Sequence, residues 1–472
     1  MAGWAAIYNN ANYSLRQHAL RLAALQEQAA SGARVNRPSD APNDAYRILR
    51  LRAQMQSIET YGKNLDHVVR DLEMAHSVLS EISNAVTEAK QVLTQASGGI
   101  YGEHNQPTFA ARIDSILEQA FSLANTQSLG RYVFAGTHAA AAPFLAERVE
   151  GRIVRVDYQG GYDDLPVPVA AGVEHPGLLI GRNVFGADNR GDPVFHGRTG
   201  AAPGTATSSA RGNVTLLITH AQTVYAGGSG IQPGAGSPGG DGIIGEHVLT
   251  VDKDLMTLSL DGGDPVSFTG AETDLAVDNA AGDRVHVDMT GWVDFDGDVT
   301  CTATGKLSID GGASTTDLTA FTDNVAVTHA DTGRVLYVDT TDVLRTGVEP
   351  VRIPGTHDLF GALIHIRDVL NNEHDFSDQK QRELLDLAMG SLDEVSQTIV
   401  RSMTGLGGRL QAIDVLKDSM QSIEARAAEQ ASALQDADVV EVATDLARTQ
   451  TLYEMTLAVT SKLLQITLLD YI

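Results

Sequence analysis

Apolar positions recur every seven residues in two distant parts of the chain. Leu51, Ile58, Leu65, Leu72, Leu79, Val86 and Leu93 form one row. Leu385, Leu392, Ile399, Leu406, Ile413, Met420, Ala427 and Leu434 form the other. A seven-residue repeat keeps one seam against a partner helix along its whole length. The rows lie toward opposite ends of the chain, so each is the expected partner of the other. The pattern predicts an α+β multidomain protein: a long antiparallel helical rod formed by both chain ends, with β-rich inserted domains in the middle. The rod core is expected at Leu51, Ile58, Leu65, Leu72 and Leu79 against Leu392, Ile399, Leu406, Ile413 and Met420.

Shorter patterns flank these rows. Residues 5–31 read as a helix, with Tyr8, Leu15, Leu22 and Ala29 in one row and Ala11, His18 and Leu25 beside it. Gly32 is its expected C-cap. The segment Arg34-Val35-Asn36-Arg37-Pro38-Ser39-Asp40-Ala41-Pro42 reads as a turn. Ser39 or Asp40 would cap the next helix, with Pro42 in its first turn. That helix spans about 43–96, ended by Ser97-Gly98-Gly99, and a further one spans about 107–126. Tyr132-Val133-Phe134 begins a strand. From about 146 to 354 the period becomes two, as at Ile153–Val156, Val248–Val251 and Val335–Val338. The Gly- and Pro-rich stretch 200–245 reads as a linker or long loop.

Two motifs recur inside this middle about fifty residues apart. Leu258-Ser259-Leu260-Asp261-Gly262-Gly263 returns as Leu307-Ser308-Ile309-Asp310-Gly311-Gly312. Gly282-Asp283-Arg284-Val285 returns as Gly333-Arg334-Val335. A duplicated small β-unit at about 246–345 is expected. Helices resume near Asp358, and the long one spans about 378–434. Gly405, Gly407 and Gly408 inside it predict a bend or a close helix approach. A last helix from Asp436 presents Val439, Val442, Leu446, Leu452, Met455, Val459, Leu463, Ile466 and Leu469.

Composition narrows the function. A net charge of −26 over 472 residues argues against nucleic acid, which needs clustered Lys and Arg. Cys301 is the single cysteine, so one chain has no disulfide framework and no cysteine-based metal site. The N-terminus lacks the basic and apolar regions of a secretory signal. Polar residues interrupt Leu452–Ile472, so no membrane span is expected. Gly240-x-Gly242-x-x-Gly245 lacks the preceding strand and following helix of a dinucleotide site and reads as a flexible loop. Asp294, Asp296 and Asp298 alternate like calcium ligands, but Gly305 stands where a bidentate Glu is needed. A surface turn is the reading there, with weak divalent-cation binding left open. His18 reads as a core or interface residue, and Cys301 as a packed strand residue. No residue set supports catalysis, a cofactor or a metal site, and no enzyme is expected.

Four stretches resemble the flagellin-like axial family, and within it the hook-associated protein 3 branch. They are Leu25–Pro42; Asn125-Thr126 with Gly130–Thr137; Leu406–Leu410; and Asp436-Ala437-Asp438 with Leu463–Ile472. The resemblance implies a hairpin fold with paired terminal helices, an adjoining rod and variable β domains at the tip. Residues 1–42 with 434–472 would be the axial pair, 43–145 with 355–433 the rod, and 146–354 the variable insertion. It implies a structural, extracellular role at the hook–filament junction and export through the flagellar channel without a cleavable signal. The implied partners are hook-associated protein 1, flagellin, copies of the chain in a ring, and an export chaperone before secretion. Two alternatives stay open: a flagellin, or an adhesin displayed through the acidic insertion.

The terminal helices lie outboard of the turn at Pro38–Pro42, and each buries little without a neighbour. They are expected to order fully only in an assembly. The expected assembly interface is Leu15, Leu22, Leu25, Leu446, Leu452, Met455, Val459, Leu463, Ile466 and Leu469.

Overall fold

The structure is a computed structural model and describes residues 2–98, 105–170, 172–372 and 376–469. The chain is α+β, with helices from both chain ends and a β-rich middle. The helices are α1 (Ala2–Ser31), α2 (Pro42–Ser97), α3 (Gln106–Ala124), α4 (Gly181–Phe185), α5 (Ser237–Gly240), α6 (Leu359–Asn371), α7 (Asp378–Gln435) and α8 (Val439–Leu469). Gly99 of the expected helix stop lies outside the described residues.

Two compact units divide these elements. The first comprises Met1–Arg70, Pro166–Gly177 and Gly407–Ile472. The second comprises Asp71–Leu165 and Leu178–Leu406.

In the first unit α2 and α7 run antiparallel. Arg52 Nη2 donates to Gln435 Oε1 at 2.7 Å, and fourteen residues on, Asp66 accepts from Lys417 Nζ at 2.5 Å. The Lys417 ammonium holds the Asp66 carboxyl below its ordinary range. Leu65 and Ile413 are fully buried here and Met420 nearly so, while Leu51 and Ile58 are half-buried. A hairpin from the middle of the chain belongs to this unit. Its strands are Pro166–Ala170 and Val173–Pro176, and the Pro168 carbonyl accepts from Asn64 Nδ2 at 2.9 Å.

In the second unit the heptad rows continue. Leu72, Leu79, Val86 and Leu93 of α2 and Leu385, Leu392, Ile399 and Leu406 of α7 are buried to within a percent of completely. Each such side chain stabilises the fold by roughly 1.5–3 kcal/mol relative to exposure. Gly405, Gly407 and Gly408 do not admit the close helix approach that was one of the two expectations. The α7 helix runs unbroken through them, and a Cβ added at any of the three would meet nothing within 4 Å. They face open space, where glycine lowers helix propensity without admitting a neighbour.

The strands are β1 (Gln127–Ser128), β2 (Arg131–Tyr132), β3 (Phe144–Val149), β4 (Arg152–Tyr158), the hairpin already given as β5 and β6, and β7 (Val194–Phe195). Then come β8 (Ala202–Pro203), β9 (Gly212–Tyr225), β10 (Gln232–Pro233), β11 (Gly245–Asp252), β12 (Thr257–Leu260), β13 (Val266–Ser267) and β14 (Leu275–Asp278). The last are β15 (Arg284–Asp288), β16 (Gly297–Ser308), β17 (Thr316–Leu318), β18 (Val325–Thr328), β19 (Val335–Asp339) and β20 (Gly347–Ile353).

An eight-stranded antiparallel sheet runs in the order β13-β12-β11-β16-β9-β20-β7, with β17 also on β16. Its central members β9 and β16 are the longest strands, so the expected linker at 200–245 instead holds a central strand of this sheet, β9, with β8 and β10 of two smaller sheets on either side of it. Gly- and Pro-rich flanks hid the run Val214–Tyr225. The flanks are ordered by buried polar contacts. Asp241 accepts from the Thr223 and Ser237 hydroxyls at 2.6 and 2.7 Å and from the His286 N–H at 2.8 Å. Gly240-x-Gly242-x-x-Gly245 is likewise no flexible loop: Ile243 and Ile244 within it are fully buried. Cys301 is packed in β16, where burial pushes its thiol up to about 12.

At Tyr132-Val133-Phe134 the strand β2 ends at Tyr132, and Val133 and Phe134 continue as buried irregular chain. Here Gly136 has φ +55, and a Cβ on it would lie 2.7 Å from the Gly161 carbonyl oxygen. Only glycine fits that close approach.

Candidate assembly interface

In the first unit, the residues between α1 and α2 form a tight corner against the junction of α7 and α8. Gly32, at φ +71, ends α1 by donating its N–H to Gln28 at 2.9 Å. The chain then bridges Ala33 to Asp436, and Ala437 N–H donates back to the Gly32 carbonyl at 2.9 Å. Arg34 Nη2 reaches both Asp44 and the Leu434 carbonyl, each at 2.9 Å. One guanidinium therefore ties the start of α2 to the end of α7.

Asp40 plays a different part from the expected helix cap. Its carboxylate accepts the N–H groups of Asn36 and Arg37 at 3.1 and 2.8 Å, closing the turn on itself. The first α2 backbone bond runs instead from Ala45 N–H to the Ala41 carbonyl. Beneath the turn Val35, Ala45 and Ile48 form a small core with Ala41 and Leu434 against it. Asp438 then caps α8, accepting from Val440 and Glu441 N–H.

From this corner α1 and α8 lie antiparallel, with Arg21 paired to Asp445 at 3.4 Å farther along. The seam that α8 turns inward follows alternating steps of four and three: Val442, Leu446, Thr449, Tyr453, Thr456 and Thr460. Val442, Thr449 and Thr460 are buried and the other three half-buried. Half of that seam is threonine. Meanwhile Leu452, Met455 and Val459 are 41, 63 and 56% exposed. At about 100° per residue, Leu452 and Val459 sit roughly a quarter-turn round from the seam and Met455 more than a third of a turn. On α1, Ile7, Tyr13 and Leu20 are likewise at least half exposed.

The expected interface residues thus fall into two groups. Leu25 is buried, and Leu15, Leu22 and Leu446 are half-buried, so these four serve the helix pair itself. Leu452, Met455 and Val459 remain open. Leu463, Ile466 and Leu469 belong to α8, but their side chains lie outside the described ones, as do Asp470, Tyr471 and Ile472 altogether. Sequence reasoning missed the threonine seam because it sought apolar rows. The seven- and four-residue spacing of Thr449, Thr456 and Thr460 was the available signal. Among the described residues no helix is long and apolar enough to cross a membrane, and no group of three or more His, Cys, Asp or Glu could hold a metal ion.

Residues 5–139 match the model of the bacterial flagellin N-terminal helical region. The match takes in α1, the corner, α2 and α3. The chain is flagellin-like and resembles hook-associated protein 3. Flagellar hook-associated protein 3 of Salmonella typhimurium is 31% identical over 121 residues, 25% of this chain and 38% of the relative. That of Escherichia coli is 28% identical over 177 residues, 37% of this chain and 50% of the relative. The chain therefore spans half or less of the length of these flagellin-like relatives. A solved flagellar hook associated protein-3 from Legionella pneumophila covers 82% of this chain and 98% of its own at 15% identity, with a TM-score of 0.44. That likeness is too weak to bear on function.

Proposed function

We propose that this flagellin-like chain is a structural part of the bacterial flagellum, a junction protein connecting the hook to the flagellin filament and performing no catalysis. Copies of the chain form a ring, with hook-associated protein 1 on one side and flagellin on the other. A chaperone holds the chain before export, and it works outside the cell. Residues 1–42 with 434–472 form the axial pair, 43–145 with 355–433 the rod, and 146–354 the insertion.

The observation that carries this reading is the outward apolar stripe Leu452, Met455 and Val459 beside a threonine-rich inner seam. Helices packed only for themselves turn their leucines inward. Here α8 turns threonines toward α1 and leaves large apolar groups in water, and such exposed patches mark sites of association. Head-to-tail contacts build rings where the rotation closes and open helical tubes where it does not, the two forms a junction and a filament require.

The test is a deletion strain viewed by electron microscopy. It should carry hooks, release flagellin into the medium and build no filament. Full-length filaments on such cells would overturn the proposal. A flagellin is the second reading, favoured by the match of residues 5–139 to the flagellin helical region. Copy number separates them, because a junction needs one thin ring and a filament needs thousands of subunits.

A further inference from the structure

The duplication in the middle of the chain is not laid end to end. In the second unit, two sets of strands make the same pairings at matching positions. In one set β20 pairs with β9 from Gly347–Ile218 to Ile353–Gly212. In the other, β16 pairs with β11 from Gly297–Val251 to Ala303–Gly245. Glycine in the left-handed region opens the strand in both, at Gly347 and Gly297 and again at Gly212 and Gly245.

The next partners agree as well. Ile218 lies opposite Leu307 and Val251 opposite Leu258. The β18–β19 hairpin sets Val325 against Val338, and the β14–β15 hairpin sets Leu275 against Val287. Each hairpin adds the same short outer strand, Val338 to Pro203 of β8 and Val287 to Pro233 of β10. Each ends in the same side-chain turn: Asp339 accepts from the Thr341 N–H and hydroxyl, and Asp288 from those of Thr290. The edge also corresponds, with Phe195 of β7 opposite Val351 and Tyr225 of β9 opposite Cys301. The two sets enclose separate hydrophobic cores.

Chain order shows where the second set sits. All of it lies between Ile218 of β9 and Gly305 of β16, two positions that belong to the first set. Within the second set, the equivalent strands β11 and β12 are joined by the short turn Lys253–Met256. The first set has an entire copy where the second has those four residues. The boundary is visible in the ladder, because the β9–β16 register breaks between Thr304 and Gly305. Bulges mark such changes of pairing.

We propose that residues 219–304 are a complete second copy of the surrounding β unit, inserted into the turn between that unit's own long strands. The inner copy is a passenger module: Ile244 is its single side chain in the outer core, whose other members all come from the outer copy, and its replacement leaves the outer strands in register. The turn Lys253–Met256, with Leu255 72% exposed, is the corresponding open position in the inner copy, where a further segment can be carried. The proposal is independent of the junction reading.

Two experiments on the full chain test it. In the first, residues 219–304 are replaced by a Lys-Asp-Leu-Met turn copied from 253–256. The shortened chain should keep a cooperative melting transition and the strand signal of the outer copy, and loss of that transition would overturn nesting. The second compares Val277→Asp with Val327→Asp, equivalent positions in the inner and outer cores, by hydrogen exchange on the intact protein. Val277→Asp should strip protection from 229–303 and leave 212–218 and 347–353 protected. Loss of protection in those outer strands to the same extent would show one shared core and overturn the passenger reading.

Discussion

Met455→Asp separates the contacts that fold this chain from those that assemble it. Met455 is 63% exposed, between Leu452 and Val459 on the open stripe of α8. Full burial of such a side chain is worth roughly 1.5–3 kcal/mol, so covering the remaining two thirds on docking contributes about 1.5 kcal/mol per subunit. The variant forfeits that and must also bring a carboxylate into an apolar contact, which costs about 2 kcal/mol or more unless it finds a partner. Every 1.4 kcal/mol is a factor of about ten in affinity, so association should weaken at least about a hundredfold. The folded monomer should hardly notice, since exposed substitutions usually stay within about 0.5 kcal/mol. The assay is paired: thermal melting of the purified chain, and filament counts in a deletion strain complemented with the variant. Unchanged melting with few or no filaments supports the division. Normal filament numbers, or a melting loss as large as that of Leu25→Asp in the buried seam, would refute it.

Three further outcomes follow from single sites. Leu79→Ala, at a fully buried heptad position, should destabilise the chain by about 2–5 kcal/mol, read as a shift of the denaturant midpoint. Gly408→Ala should stabilise by about 1 kcal/mol, because the site is helical and its added Cβ meets nothing; a loss of stability would mean the glycine has a packing role. Asp310 is the pH probe. Burial acts to raise its pKa, but the hydroxyl and N–H of Ser314, the N–H of Ala330 and the Ser308 hydroxyl outweigh it and hold the carboxyl well below its ordinary value. A carboxylate whose folded pKa is lowered adds stability above its unfolded pKa of about 3.9, and that stability is lost as pH falls through the folded value. Asp310→Asn should therefore cost about 1.5 kcal/mol at pH 7, at the low end for charge-assisted bonds because the group is partly exposed. The gap from the parent should close as pH falls below about 4, and a gap constant from pH 7 to 2 would count against the reasoning.

Helices were legible in the sequence because their signal is periodic over many turns and survives local exceptions. The starts and ends of α1, α2 and α7 fall within a few residues of the punctuation at Gly32, Pro42, Ser97 and Ser377. The heptads could be read because each row continues through many turns. By contrast, β9 was hidden by composition. Its run Val214–Tyr225 alternates only in part, and the glycines on both sides lower the average to that of a linker. What orders those glycines is a distant set of groups, Asp241 with Thr223, Ser237 and His286, and no local pattern announces it. The glycines of α7 misled for the opposite reason, since a run of three suggests a contact and here marks only an exposed surface.

The interface shows the same limit in a sharper form. Listing the apolar positions of α8 places Leu446 and Met455 together, yet they differ in exposure because the seam is set by the partner helix α1. Threonine at Thr449, Thr456 and Thr460 makes that seam weak for its length. A threonine offers a single methyl, so three of them bury far less apolar surface than the three leucines an ordinary helix pair would place there. The shortfall explains why the outer stripe matters. A pair this lightly packed gains more from a neighbour than from itself, and substitutions that strengthen the inner seam should compete with assembly. Replacing Thr449 and Thr456 by leucine would give a pair more stable alone. If the open stripe drives docking, that variant should melt at a higher temperature without docking more tightly. If it did dock more tightly, order within the pair would be what limits assembly, and the apolar stripe would be secondary.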